Sequence, residues 1–546
     1  MALGLPGKFG ASEIQPSTVM KVKIEGKGVL QGMTLLDTAT KKPKCHRFGS
    51  IPFALPPTGE RRWRKPQPLP SNFSYGTQQN PGNFTKPSSP CPQMSRFGVK
   101  SSSEDCLQCN IWVPIGSPPK GGWPVLFWIH GGFLQYGTNN ADDPSDLLGS
   151  TDVKCVIVSP GYRLGVFGFL ASKDLEPQES SPTANFGFWD QRLALEWTYD
   201  NVANLGGNPD NITVGGLSAG AYSAFHQLAH DINPSRQRQI IRRVLQFSNG
   251  CGVQPKSITE VQQQFECFIS VLGIPKTWTK SQRVEAIRKK TADQLVDAVE
   301  RMDQKFFRPV SDGKFITTDL FASLYNGSFG RRMKELDISI IVGDLTQEFQ
   351  LYKAIYPPTS HQTLVERLCW DYPRDIVLPV CSQYEPSKSP SIRSDEDWSG
   401  IFGDLYADLQ VHSTLRGLVQ SIAHALPVSH LHRYRIDYRT QSVDKTWPRE
   451  IGATHATDMS IWFFGNGNDL TAKEKGVVAE WLRPVSSFVK GEQVDWGTRE
   501  INEVRYLTAD GAMTIKNDEW WKTKLPLWEL IRKTTIAQHK PRDSKL

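Results

Sequence analysis

The 546-residue chain contains no run of about 18 apolar residues, so no segment reads as a membrane-spanning helix. Its first segment, Met1 to Leu30, lacks the apolar core of a secretory leader. Long runs of Lys or Arg are missing too. The 63 basic residues exceed the 56 acidic ones by a formal charge of +7 that is spread along the sequence. The densest basic stretches, Arg61 to Lys65 and Arg238 to Arg243, are interleaved with apolar residues as solvated faces are, so nucleic acid is not an expected partner. Cysteine is scarce and odd in number: nine cannot all pair, and they are too few to staple a chain of this length. Cys106 and Cys109 form a C-x-x-C with no second pair and no histidines at zinc spacing, so neither metal nor cofactor is expected. Internal repeats and low-complexity segments are absent as well.

What is present is an alternation of short apolar runs with helical patterns, the signature of a parallel sheet wrapped by helices. Val125 to Ile129, Cys155 to Val158, Ile212 to Val214, Ile338 to Val342 and Leu431 to Ile436 read as buried strands. Leu193, Ala194, Trp197 and Val202 fall at helical spacing and predict a crossover helix. Stretches of about 255–335 and 350–425 are polar, Pro-rich and helical, without strand alternation; they are expected to be cap insertions in one domain spanning 1–546.

The segment Gly216-Leu217-Ser218-Ala219-Gly220 follows the strand Ile212 to Val214 and precedes a helical pattern, Ala221 to Leu228. That is the strand-turn-helix setting of a nucleophile elbow. Glycines flank the turn because side chains there would collide with the neighbouring strand and helix. The helix amino terminus favours negative charge developing at the serine.

Around this motif the chain resembles the type-B carboxylesterase and cholinesterase family. The resemblance is carried by IPFALPPTGERRW (51–63), SEDCLQCNIWVP (103–114), FWIHGGF (127–133), GYRLGVFGFL (161–170), NFGFWDQRLALEW (185–197) and NLGGNPDNITVGGLSAGA (204–221). It implies an α/β-hydrolase fold and a serine esterase with its acid and base in the order Ser, Glu, His. Serine needs a histidine to take its proton, and the histidine needs a carboxylate to fix its tautomer. His455 in GATHATD matches the family's histidine loop, and Glu348 in VGDLTQE its acidic loop; Asp344 and Asp458 are the competing carboxylates. Gly132, Phe133 and Ala219 are the implied oxyanion donors, with Phe133 standing where the family usually has a third glycine. Arg163 and Asp190 are expected to form an internal ion pair, and His130 to brace its loop.

The resemblance further implies a Cys91 to Cys106 disulfide and allows one between Cys251 and Cys267. Against these, the tail reads Ser544-Lys545-Leu546, an address bound by the peroxisomal import receptor. Chains reaching peroxisomes, or remaining in the cytoplasm, bypass the oxidising secretory route, and the sequons at Asn72, Asn83, Asn211 and Asn326 would stay unmodified. For substrate, Leu217 stands where cholinesterases carry Glu, and Phe349 replaces the glycine usual after the acid. With Tyr352, Trp370 and Trp398 these favour a neutral, lipophilic or aromatic small-molecule ester, such as a secondary metabolite, over a choline ester. Acyl transfer or thioester hydrolysis by the same residues is the alternative within catalysis, and a non-catalytic interaction role the alternative outside it.

Overall fold

Apolar runs rich in Val, Ile and aromatics, bounded by Gly and Pro, build the sheet. A computed structural model of the chain describes residues 19–94, 99, 101–175, 184–384 and 395–539, so the Ser544-Lys545-Leu546 tail lies outside the described residues. In chain order the strands are β1 (Val19–Ile24), β2 (Gly28–Leu36), β3 (Pro43–Pro52), β4 (Gly82–Asn83), β5 (Gln108–Pro114), β6 (Trp123–Ile129), β7 (Val156–Pro160), β8 (Gly207–Leu217), β9 (Ile241–Phe247), β10 (Ser339–Leu345), β11 (Leu431–Ile436), β12 (Glu503–Leu507) and β13 (Met513–Asn517). They form one 13-stranded sheet in the order β1-β2-β3-β5-β7-β6-β8-β9-β10-β11-β12-β13, with β4 paired to β2. The run from β7 to β12 is parallel, and its flanks are antiparallel.

Each predicted strand falls within or beside an observed one. β6 is buried along nearly its whole length, as a strand covered by helices on both faces must be. β8 begins at Gly207, earlier than the apolar pattern indicates, because its first residues pair with Trp123. The crossover helix spans Phe186–Asn201. The stretch 255–335 forms the helices Ile258–Val271, Lys280–Arg288, Ala292–Glu300, Leu320–Tyr325 and Ser328–Glu335, the first three opened by capping boxes from Ser257, Thr279 and Thr291. From 350 to 425 the described residues are again helical, including a π-turn at Asp408–His412. None of the described helices is long and apolar enough to cross a membrane.

Cys91 and Cys106 are joined as a disulfide. Cys251 and Cys267 are not, which corrects that part of the expectation. The Cys251 thiol is buried and directed at the Thr414 carbonyl, whereas Cys267 sits on the exposed side of the helix Ile258–Val271.

One buried charge cluster ties the second half of the sheet together. Asp344 on β10 accepts from Arg416 Nη1 (2.9 Å) and Arg435 Nε (3.0 Å), and its Oδ2 also pairs with His412. Asp518, just beyond β13, pairs with Arg416 Nε (2.9 Å), with Arg435 Nη2 (2.8 Å) and with Arg433. Burial alone would raise both carboxyls, but the guanidiniums hold both below the usual range. Removing one partner leaves the other charges buried and uncompensated. Asp518→Ala is therefore expected to cost about 3–5 kcal/mol in a denaturant titration. Because the folded pKa values are depressed, this stabilisation is complete above the unfolded value near 4 and is lost progressively as pH falls from there through the lower folded values. The gap between wild type and variant should thus narrow below pH 4.

Candidate active site

β8 ends at Leu217 and the helix Ala219–Asp231 begins at the next residue but one, so Ser218 alone turns the chain. It does so at φ 58° and ψ −124°, a conformation that L-residues rarely occupy. Its N–H donates to the Phe247 carbonyl at the end of β9 (2.8 Å), and its carbonyl accepts from Tyr222 N–H (3.0 Å). Behind it, a Cβ on Gly220 would stand 1.9 Å from the Ile129 carbonyl oxygen, so glycine is required there. Ser218 is 7% exposed, and its hydroxyl makes no hydrogen bond among the described residues.

Glu348 follows β10 and His455 follows β11, the two strands that come after β9 in the same parallel run. Their loops are stitched together by Gln347 N–H donating to the Ala453 carbonyl (3.0 Å). Glu348 is fully buried; its Oε1 accepts from Leu345 N–H (3.0 Å) and its Oε2 from His455 Nδ1–H (2.6 Å). In the neutral imidazole this holds the proton on Nδ1 and leaves the Nε2 lone pair free. Nε2 is buried and has no hydrogen-bond partner among the described residues. Glu348 and His455 are thus joined directly, while Ser218 stands at the end of β8, across β9 from β10, without a hydrogen bond to the ring. Catalytic hydrogen bonds of this kind often close only around substrate.

The competing carboxylates are accounted for elsewhere. Asp344 is consumed by the arginine cluster. Asp458 lies beneath the site, where its Oδ2 accepts from Trp462 Nε1 (2.7 Å) and its Oδ1 is buried without a partner. Burial, aided by the nearby Glu348 charge, pushes its carboxyl up to about 7.

His130, Gly131, Gly132 and Phe133 follow β6. A Cβ on Gly131 would lie 3.2 Å from Ser218 Cβ, which brings this loop against the serine. Gly132 lies at φ 110° and Phe133 at φ 55°. The N–H groups of Gly132, Phe133 and Ala219 have no acceptor among the described residues. His130 donates from Nδ1 to the Gly131 carbonyl (2.8 Å) and stacks on Tyr162 at 4.4 Å between ring centres. Burial lowers its pKa to about 4, so it stays neutral and braces the loop. Behind these groups, Arg163 and Asp190 form a buried ion pair (2.6 Å).

Leu217 is 9% exposed and packs into the apolar cluster containing Trp128, Phe247 and Met459. Phe349 is half-buried, with Lys353 Nζ 5.8 Å from its ring centre. Tyr352 does more than its aromatic character suggests. Its hydroxyl oxygen lies 3.2 Å from His455 Nδ1, and burial keeps the phenol protonated. Trp370 packs against Phe306, and Trp398 lies beside His361.

The profile of the carboxylesterase family matches residues 17–520. The chain belongs to this family. It is 39% identical over 518 residues to a carboxylic ester hydrolase of Gibberella moniliformis, an alignment covering 92% of this chain and 94% of that protein. It is 37% identical over 533 residues to an uncharacterized esterase/lipase of Schizosaccharomyces pombe, covering 94% and 96% respectively. The crystal structure of Aspergillus niger EstA superposes with a TM-score of 0.75 at 21% identity, over 95% of this chain and 99% of that one, and shares the α/β-hydrolase fold. This member of the carboxylesterase family is accordingly a carboxylic ester hydrolase.

The Asp458 carboxyl yields a pH prediction. Its folded pKa near 7 exceeds the unfolded value near 4, so the folded state binds the extra proton between them and loses stability as pH rises through that window. Asp458→Asn cannot ionise. The melting temperature of the variant minus that of wild type should therefore be more positive at pH 8 than at pH 5; equal differences at both would contradict the assignment.

Proposed function

We propose that the enzyme hydrolyses a neutral, lipophilic or aromatic ester, of the kind found among secondary metabolites, through a Ser218–His455–Glu348 triad. One observation carries this reading. The buried Glu348 fixes the tautomer of His455 and leaves Nε2 unoccupied, while the Ser218 hydroxyl, on its strained turn, is likewise engaged by no other group.

In the first step Ser218 Oγ attacks the ester carbonyl and His455 Nε2 accepts its proton. Glu348 stabilises the resulting imidazolium. The oxygen anion of the tetrahedral intermediate is taken by the N–H groups of Gly132, Phe133 and Ala219, each worth about 3 kcal/mol in the transition state. His455 then returns the proton to the departing alcohol. Water, deprotonated by the same nitrogen, attacks the acyl-serine, and the acid departs as His455 returns that proton to Ser218 Oγ.

The apolar Leu217 before the nucleophile supplies no carboxylate to attract a cationic alcohol. Phe349, and Tyr352 with the Phe133 ring it meets edge to face, offer aromatic surface suited to a lipophilic group. We place the enzyme in the peroxisome on the Ser544-Lys545-Leu546 tail, which the import receptor would bind, and there Cys91 and Cys106, paired in the structure, would be thiols. A fluorescent fusion to the amino terminus should show punctate signal that the removal of these residues disperses.

Ser218→Ala should abolish turnover of p-nitrophenyl esters, a loss on the order of a millionfold, and prevent labelling by a fluorophosphonate. Glu348→Gln should reduce kcat by roughly 10⁴ because the histidine loses its tautomer control. Substantial esterase activity in Ser218→Ala would overturn the triad assignment. Faster turnover of acyl-CoA than of any simple ester would replace the substrate assignment.

A further inference from the structure

The loop that presents the Phe133 N–H carries two successive non-glycine residues in the left-handed region, Phe133 at φ 55° and Leu134 at φ 65°. L-residues resist this conformation because their Cβ crowds the following carbonyl. A glycine would occupy it freely; here something must hold it. The peptide that bears the Phe133 N–H is fixed through its own carbonyl, Gly132 O, which accepts from Gln135 N–H (2.9 Å) and Tyr136 N–H (3.0 Å). The next peptide is fixed through Phe133 O, which accepts from Arg308 Nη1 at 2.7 Å and from Gln135 Nε2 at 3.2 Å. With both flanking peptides held, rotation about Phe133 is blocked and its N–H keeps one direction.

We propose that Arg308 is a positioning residue for ester hydrolysis: by clamping the Phe133 carbonyl from the cap, it aims the Phe133 N–H at the oxyanion. This rests on the assignment of that N–H as an oxyanion donor.

The clamp is itself rigidly founded. Arg308 Nε forms an ion pair with Asp371 Oδ1 (3.0 Å), at the end of the helix His361–Asp371. Asp371 is fully buried and is held from its other oxygen by Arg367 Nη1 (2.7 Å) and the Tyr406 hydroxyl (2.9 Å). The residues before Arg308 grip the same loop. Phe307 exchanges two hydrogen bonds with the Gln135 side chain, 2.7 Å from Gln135 Nε2 to the Phe307 carbonyl and 3.1 Å from Phe307 N–H to Gln135 Oε1. Phe306 packs on the Phe133 ring at 6.1 Å between centres. One short segment of the cap, anchored on a second cap helix, therefore sets the geometry of a backbone donor more than 170 residues earlier.

The test uses the full-length enzyme and its Arg308→Met, Arg308→Lys and Ser218→Ala variants. It reads kcat and KM on a p-nitrophenyl ester and inhibition by an aryl trifluoromethyl ketone, whose serine adduct carries an oxyanion. Arg308→Met should lower kcat by about tenfold to a hundredfold, less than the 10²–10³ expected from deleting a donor outright. KM should change little, and the inhibition constant should rise by the same factor as kcat falls. Arg308→Lys keeps the charge beside Asp371 and can make one bond to Phe133 O, so it should recover part of both losses. It also serves if the methionine variant does not fold. Unchanged kcat and inhibition in whichever variant folds would overturn the role of Arg308, as would a lower kcat with unaltered inhibition. Failure of the underlying reading looks different: wild type resists the ketone, or Ser218→Ala still turns over.

Discussion

The backbone of Ser218 is the constraint on which the other groups of the site depend. A strand and a helix meet there with no loop between them, and the residue at the junction is held in a conformation that costs on the order of 1–3 kcal/mol. The cost is sustained because the surroundings leave no alternative. β9 binds the serine N–H, the helix begins on its carbonyl, and Gly220 lets the helix lie directly against the Ile129 backbone. Once that junction is fixed, the ends of β6, β10 and β11 arrive at set distances from the hydroxyl because strand spacing in a sheet is nearly invariant. The loops after those strands then need only short reaches to bring Glu348, His455 and the Gly132 turn to the same place.

Legibility in the sequence follows the range of the interaction concerned. Ser218 is readable because its requirement is local: two glycines, an apolar strand and a helix within a dozen residues. The central strands are readable for the same reason, since burial on both faces leaves uniformly apolar runs such as Val125 to Ile129. Glu348 and His455 are found through family resemblance, and their mutual hydrogen bond rests on a sheet that places β10 beside β11. The antiparallel flank has no such signal: β1 is largely exposed, and β2, though mostly buried, is interrupted by Gln31, Gly32 and Thr34.

What escapes reading is the contact made by a side chain whose partner is remote and whose own neighbours are unremarkable. Arg308 looks like a surface residue between Phe307 and Pro309, yet its guanidinium lies against the Phe133 carbonyl. Tyr352 reads as an aromatic lining residue, and its hydroxyl reaches His455. The Cys251 and Cys267 pairing fails for a related reason. A disulfide needs two Cβ vectors to converge, and helix phase turns Cys267 outward while Cys251 is drawn inward.

The arginine cluster also ties the middle of the sheet to the far end of the chain. Arg416, Arg433 and Arg435 enter the growing chain well before Asp518, and until then Asp344 is the sole acidic partner among the pairs described for Arg416 and Arg435 in the buried cluster. Full neutralisation of the buried guanidiniums therefore rests on one residue, Asp518, that follows every strand of the sheet in the chain.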